Sequence, residues 1–443
     1  MNTSRRVFLK SGALALASVG LMPGLGPDFL RGTAFAADNQ RNARKAGGKK
    51  VMVCIFLRGA VDGLSVVVPH GDPDYYKLRE LNNNGIALAR AGENGVIDLD
   101  GTFGLNPALA ALKPLYDAGH LAPIQAVGSP NSTRSHFDAQ DYMESAVPGN
   151  KSINTGWLAR VSAQCPEDTG KGKQIKTVAM TARLPRSLDG DPDALAIADL
   201  ASFGIGRGVG GGGGKRAVAA MGGGGNGGGF EALYDGAVGD VLHGTGQETF
   251  EAIKILSSLD PNKYAPDGKA NYGNSQLGRS LKQIAQLIKA DVGTEIAFAE
   301  TGGWDTHANQ GGAGGQLSRR LGDVGQALAA FWADMGDRMA DVTVLTMSEF
   351  GRTARQNGNG GTDHGHGTCF LALGGAVAGG KVRGQWPGLA PDKLYENRDL
   401  AVTTDFRSVF AEIADKHMGI ADIRAVFPGF AADAKDYRGV IRA

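Results

Sequence analysis

Cysteine is scarce in this chain. Cys54, Cys165 and Cys369 are the only three, too few and too scattered for a disulfide framework or a thiolate metal site. Cys54 and Cys369 lie in apolar runs and read as small buried hydrophobes. An excess of one charge is also missing. The 46 basic and 45 acidic residues leave a net charge of +1 with no sustained basic stripe, so a nucleic-acid binder's electrostatic footprint is absent. Beyond the first few tens of residues, no uninterrupted apolar run approaches the roughly 18 residues of a membrane helix, and no span is expected in the mature form. No phosphate-cradling Gly-x-x-x-x-Gly-Lys-Ser/Thr loop occurs, and no dinucleotide fingerprint follows a strand-like run.

Glycine, by contrast, is abundant at 69 residues. Much of the excess falls between Gly204 and Gly229, around a short Lys215 to Met221 segment. Such a run has a high ordering entropy and little to bury, so it reads as a flexible insertion. At the start, Ser4-Arg5-Arg6-Val7-Phe8-Leu9-Lys10 matches a twin-arginine export signal. An apolar stretch from Ala13 to Leu25 and a small-residue cleavage site, Ala34-Phe35-Ala36, follow it. That route exports folded proteins, so a periplasmic or otherwise extracytoplasmic location is expected, with the twin-arginine translocase as an export partner. The plan that follows is a signal peptide over residues 1–36, a linker over 37–49, one α/β domain over 50–430 carrying the 204–229 insertion, and a C-terminal tail over 431–443.

Within the domain, apolar strand-like runs alternate with helical periodicity. Val51 to Leu57, Leu121 to Val127, Thr177 to Met180, Glu295 to Ala299, Val342 to Met347 and Phe370 to Leu373 read as buried strands. Leu277, Leu281, Ile284 and Ile288 share one helical face. Leu317, Leu321, Val324, Leu328, Phe331 and Met335 share another, and Phe406, Val409, Phe410 and Ile413 a third, with Thr404 as its N-cap. This alternation predicts a doubly wound α/β fold with a mostly parallel sheet covered on both faces. Ligands of such sheets bind beyond the carboxyl ends of the strands.

The chemistry-bearing residues concentrate at those ends. Asp62 follows the first strand, and Ser132, Thr133, Arg134, Ser135 and His136 follow the second. Asp305 and His307 follow the Glu295 run, Glu349 and Arg352 follow the Val342 run, and Asp363, His364 and His366 precede the Phe370 run. Five of the eight histidines, His70 included, lie in or near these loops. Asp, Glu and His together suit a divalent transition metal, Zn or Mn first, whereas Mg and Ca sites usually take oxygen alone. The same residues also suit a plainer role as hydrogen-bonded turn formers. Asp62, Asp305, His307, Glu349, Asp363, His364 and His366 are the candidate metal ligands. Ser132 or Thr133 is the candidate nucleophile, or else a cap on a helix from Ser135 to Tyr142. Arg134 and Arg352 are candidates to hold an anion.

Five segments, Phe56 to Leu64, Thr133 to Glu144, Gly303 to His307, Ser348 to Thr353 and Thr362 to Gly367, occur in an order that resembles the exported family numbered 1501 among domains of unknown function. The resemblance runs from about Lys50 to about Phe427. That family is grouped with the alkaline phosphatase and sulfatase superfamily, which implies an alkaline-phosphatase-like fold with a metal centre at the strand ends. In that likeness Asp62 resembles the first metal carboxylate, residues 132–135 the nucleophile turn, Asp305 with His307 the Asp/His pair, and residues 363–366 the late histidine segment. The pair is spaced Asp-x-His instead of the superfamily's Asp-x-x-x-His, and Ser348-Glu349 stands where an Asp-His pair is usual. The expected activity is metal-dependent hydrolysis of a small anionic phosphate or sulfate ester. The alternative is a non-catalytic exported binding or assembly protein that works with an operon-encoded partner.

Overall fold

The computed structural model describes residues 49–81, 84–165, 175–200, 255–256, 259, 263–431 and 433–442. The expected signal peptide, nearly all of the linker and the glycine-rich insertion lie outside the described residues. Eleven strands are described: β1 (Val51–Arg58), β2 (Val67–Val68), β3 (Ile97–Asp98), β4 (Gly104–Leu105), β5 (Leu121–Gly128), β6 (Thr177–Ala179), β7 (Leu195–Ala196), β8 (Ile296–Gly302), β9 (Val342–Met347), β10 (Thr368–Gly374) and β11 (Thr404–Asp405). Eight form one sheet in the order β11-β5-β10-β9-β1-β8-β6-β7, and β2-β4-β3 form a small second sheet. The helices that matter below are α1 (His136–Ser145), α2 (Trp157–Ser162), α3 (Gln276–Lys289), α4 (Gln316–Met335) and α5 (Phe406–Lys416).

The period of two in each strand sorts its side chains onto two faces. In β1, Val51, Val53, Ile55 and Leu57 enter one core, while Met52, Cys54 and Phe56 enter the other. The first core is closed by α3 and α4, whose apolar stripes, Leu277 to Ile288 and Leu317 to Met335, are buried there. The second is closed by Met143 of α1, Trp157 and Leu158 of α2, and Phe406, Val409, Phe410 and Ile413 of α5. Helices on both faces explain why the strands read as unbroken apolar runs. The Trp157 indole stacks on Phe410 at 4.3 Å between centroids, with both rings fully buried. All three cysteines are free and buried.

The sheet is parallel throughout except at β10, which runs antiparallel to both β5 and β9. This reversal matters for the site. The amino end of β10 lies at the edge where the parallel strands have their carboxyl ends. The loop before β10 therefore joins the loops after β1, β5, β8 and β9. Sequence pattern carries the existence of a strand but not its direction.

Smaller expectations differ from the structure. Thr404 does not cap α5: it sits in β11, and Asp405 is the cap, its carboxylate accepting from the Arg407 amide at 2.9 Å. Helix α1 starts at His136 with Ser135 as its cap residue, so neither Ser132 nor Thr133 caps it. The expected tail packs onto the domain. Val440 and Ile441 are buried, and the Ile441 and Arg438 amides donate to buried Glu412 at 2.9 and 2.7 Å. Among the described residues no helix is long and apolar enough to cross a membrane.

Candidate metal centre

The loops that meet at this edge are held by close backbone contacts. After β1 the chain turns through Gly59 (φ 119°) and Ala60 (φ 62°). A Cβ on Gly59 would lie 2.8 Å from the Asp305 amide nitrogen, so glycine is required both by conformation and by space. After β8, Trp304 is fully buried and its indole N–H donates to the Thr301 carbonyl at 3.0 Å, which anchors Asp305 beside it. After β9, Ser348 donates to the Leu57 carbonyl at 2.8 Å, tying that loop to β1. Residues 351–353 then pair with 363–366: Arg352 bridges His364 antiparallel, and the Thr353 and Gly365 amides donate to Asp363 and Gly351 at 2.9 Å each. This hairpin delivers His364 to the edge.

Four side chains converge there. One ligand atom each from His136, Asp305 and His364 lies within 4.8 Å of the other two. The Nε2 of His364 is 3.0 Å from Nε2 of His136 and 3.0 Å from Nε2 of His307. Oδ1 of Asp305 is 3.2 Å from His364 Nε2 and 2.9 Å from His307 Nε2. His136 Nε2 is 3.5 Å from Asp305 Oδ2. Donors about 2.0–2.1 Å from a tetrahedral ion stand roughly 3.3 Å apart, so these spacings suit a shared cation.

The outer nitrogens settle which atoms face inward. His136 Nδ1 meets Glu349 Oε1 at 2.9 Å, His307 Nδ1 meets Asp363 Oδ1 at 3.0 Å, and His364 Nδ1 meets the Arg134 carbonyl at 2.9 Å. Each partner is an oxygen acceptor, so each Nδ1 donates outward and each Nε2 turns toward Asp305. Lone pairs cannot sit 3.0 Å apart without a cation, a proton or a metal ion, between them. Phe350 packs against both rings, 4.9 Å from His136 and 5.2 Å from His364.

Electrostatics agree with this arrangement. Burial alone would raise the Asp305 carboxyl, but the Arg352 guanidinium at 2.5 Å outweighs it and holds the group below the usual carboxylate range. Burial likewise opposes ionisation of Glu349, and hydrogen bonds from His136 and Gln140 overcome it. The Glu349 hydrogen bond raises His136, whereas burial lowers His364, with His136 and Arg352 adding to the effect. The two facing rings are thus pushed in opposite directions, His136 toward and His364 away from the protonated form.

The remaining candidates are placed elsewhere. Asp62 does not join the group. It is fully buried, and Arg79 takes both its oxygens at 2.7 and 2.9 Å, with Ser65 at 2.6 Å and Gln310 at 2.7 Å. Those bonds tie both oxygens into the core and away from the shared point, and Arg79 outweighs the burial that would raise its carboxyl. Glu349 and Asp363 stand behind His136 and His307 and do not face the shared point. His366 also stays out: its ring is buried and stacks on Tyr395 at 4.6 Å. His70 pairs with Asp98 at the small sheet.

Arg134 is occupied by Glu396 at 2.7 Å and Asp399 at 2.6 Å, so it is not free to hold an anion. Arg352 is equally committed, to Asp305 and to the Thr362 carbonyl. Ser132 is exposed and makes no hydrogen bond among the described residues, while Thr133 Oγ1 accepts from the Ser135 amide at 3.3 Å. His136 is the ligand missing from the expected set. Its signal was present, because it opens a helix directly after a strand and Gln140, one turn on, shares its partner Glu349.

Fold and site together define an α/β chain with a candidate His/Asp metal centre at the carboxyl edge of its sheet. The model of a family described as protein of unknown function (DUF1501) matches residues 242–427, which include Asp305, His307, Arg352 and His364. His136 and the loop after β1 lie outside that match. No curated protein and no solved structure matches the chain.

Proposed function

We propose that the protein is an exported hydrolase of phosphate or sulfate esters that works with a divalent metal, zinc ahead of manganese. The observation that carries this reading is the set of three imidazole Nε2 atoms turned toward one carboxylate, each ring fixed from behind by an oxygen acceptor. A donor set of imidazoles with one carboxylate suits zinc. The arrangement at the sheet edge and the resemblance to the alkaline phosphatase superfamily support the reaction class, and the twin-arginine motif supports the compartment.

A bound metal would polarise the ester oxygen and lower the pKa of water beside it. His136, Asp305 and His364 hold the ion in this reading, and Arg352 keeps Asp305 ionised. His307 is the most exposed of the three histidines and is oriented by Asp363. In this reading its Nε2 takes a proton from water instead of binding the ion. Neither the Ser132 nor the Thr133 hydroxyl hydrogen-bonds to the cluster among the described residues, and this reading takes water as the attacking group.

Protein purified without chelators should contain about one equivalent of metal and hydrolyse an aryl phosphate or an aryl sulfate. His364→Ala should lose the metal. His307→Asn should keep most of it while turnover falls by roughly 10²-fold or more. Absence of metal from the wild type removes the whole reading. Metal without turnover leaves the second reading, a non-catalytic metal-binding or assembly protein with an operon-encoded partner. The commitment of Arg134 and Arg352 to internal carboxylates is the observation on its side.

A further inference from the structure

A cleft of about 290 Å³ opens beside the metal centre, with Arg355, Arg398, Asn357, Asp363, Leu78 and Leu394 among its lining residues. It shares a wall with the centre. Asp363 Oδ1 accepts from His307 Nδ1 at 3.0 Å and from Asn357 Nδ2 at 3.1 Å, and the same Asn357 amide reaches the His307 carbonyl at 2.8 Å. The cleft thus begins one side chain away from a member of the cluster.

Its walls carry two guanidiniums and one carboxylate. Asp363 already receives two hydrogen bonds. Arg355 is exposed, and among the described residues its guanidinium makes one hydrogen bond, a long one of 3.5 Å to the Lys77 carbonyl. Arg398 approaches Asp399 at 3.3 Å, but Arg134 holds that carboxylate more closely, at 2.6 Å. Two arginines with donors to spare beside two leucines suit an anion on an organic body. The volume lies at the small end of ligand pockets.

Arg398 is presented by a tight turn. Glu396 and Asn397 both have φ of 53°, in the left-handed region. The turn is closed by paired Tyr395 and Asp399 backbone bonds of 2.9 and 3.0 Å, and Arg134 grips Glu396. Arg134 therefore links the two places: its carbonyl orients His364 and its guanidinium holds the turn that carries Arg398.

We propose that this cleft is an anion-binding subsite for the acidic tail of an organic ester whose reacting end lies at the His136–Asp305–His364 cluster. The proposal rests on the hydrolase reading and adds the substrate class: an ester with a second acidic group, carboxylate, sulfate or phosphate, on a small apolar body.

Calorimetric titration of full-length His364→Ala protein with phenylphosphonate isolates the cleft from the metal. Binding is expected. Adding Arg355→Gln or Arg398→Gln should weaken it by roughly tenfold each, and Arg355→Lys should retain most of it. Inorganic phosphate should bind more weakly than phenylphosphonate, because it leaves the leucines uncovered. No binding to His364→Ala, or binding unchanged by both glutamine variants, overturns the subsite. Equal binding of the two probes overturns the organic tail. A protein without metal or turnover sinks the hydrolase reading and leaves this titration as it was, so the two failures are distinguishable.

Discussion

Asp62 and Arg79 form a fully buried pair whose bonds are all internal, to each other, to Ser65 and Gln310, and to the Thr353 and Ala354 carbonyls. Asp62→Asn leaves the guanidinium buried without its counter-charge, which costs about 3–5 kcal/mol. Urea unfolding should register that loss, while metal content of the folded fraction stays near wild type. An unchanged midpoint, or lost metal in folded protein, would make Asp62 a ligand after all. Sequence showed an acid after a strand, in the place where metal carboxylates are found. It did not show that an arginine 17 positions on pairs with both its oxygens. Asp305 and His364 were legible because both stand in glycine-flanked turns. His136 was harder to assign because it also looks like an ordinary helix opener, and the acceptor that aims its ring, Glu349, lies 213 positions away.

At the scale of elements, the hairpin pairing residues 351–353 with 363–366 decides where His364 stands. A Cβ on Gly365 would lie 2.3 Å from the Arg352 carbonyl carbon, and one on Gly351 would lie 1.8 Å from the Gly367 oxygen. Gly365→Ala must therefore pry the hairpin open. Metal affinity should fall on the order of tenfold, the lower range for displaced supporting contacts, as read by competition with a chromophoric chelator. Affinity equal to wild type would show that the pairing does not position the histidine. The six longer strands were legible from runs of Val, Ile, Leu and Phe buried on both faces. The two-residue strands β7 and β11 carry no such run. The reversed direction of β10 also leaves no trace in composition, because either direction buries the same side chains.

For the whole molecule, acid stability is set in part by a buried histidine. His417, near the end of α5, donates from Nε2 to the Val51 carbonyl at 3.0 Å, while its Nδ1 is buried without a partner among the described residues. Burial lowers its pKa from 6.5 to about 4. The unfolded chain thus takes up a proton below pH 6.5 that the folded chain refuses until about pH 4. Its contribution is complete above pH 6.5, shrinks as pH falls through that window, and is flat below it. The change amounts to about 3 kcal/mol. Denaturation midpoints from pH 7 to 4 should follow this slope, and His417→Gln should flatten it. An equal slope in the variant would assign the effect to other groups.

The centre takes His136 from the start of α1, Asp305 and His307 from the turn after β8, and His364 from the loop before the inverted strand. No two adjoining elements can assemble it alone. A nascent chain that has emerged only through β9 holds some of the donors but not the one that stands between the others. On the proposed metal reading, cation capture would be a late event, taking place wherever the polypeptide finishes collapsing. The ion supply of that compartment, more than the intrinsic preference of imidazole, would decide which element the finished protein carries.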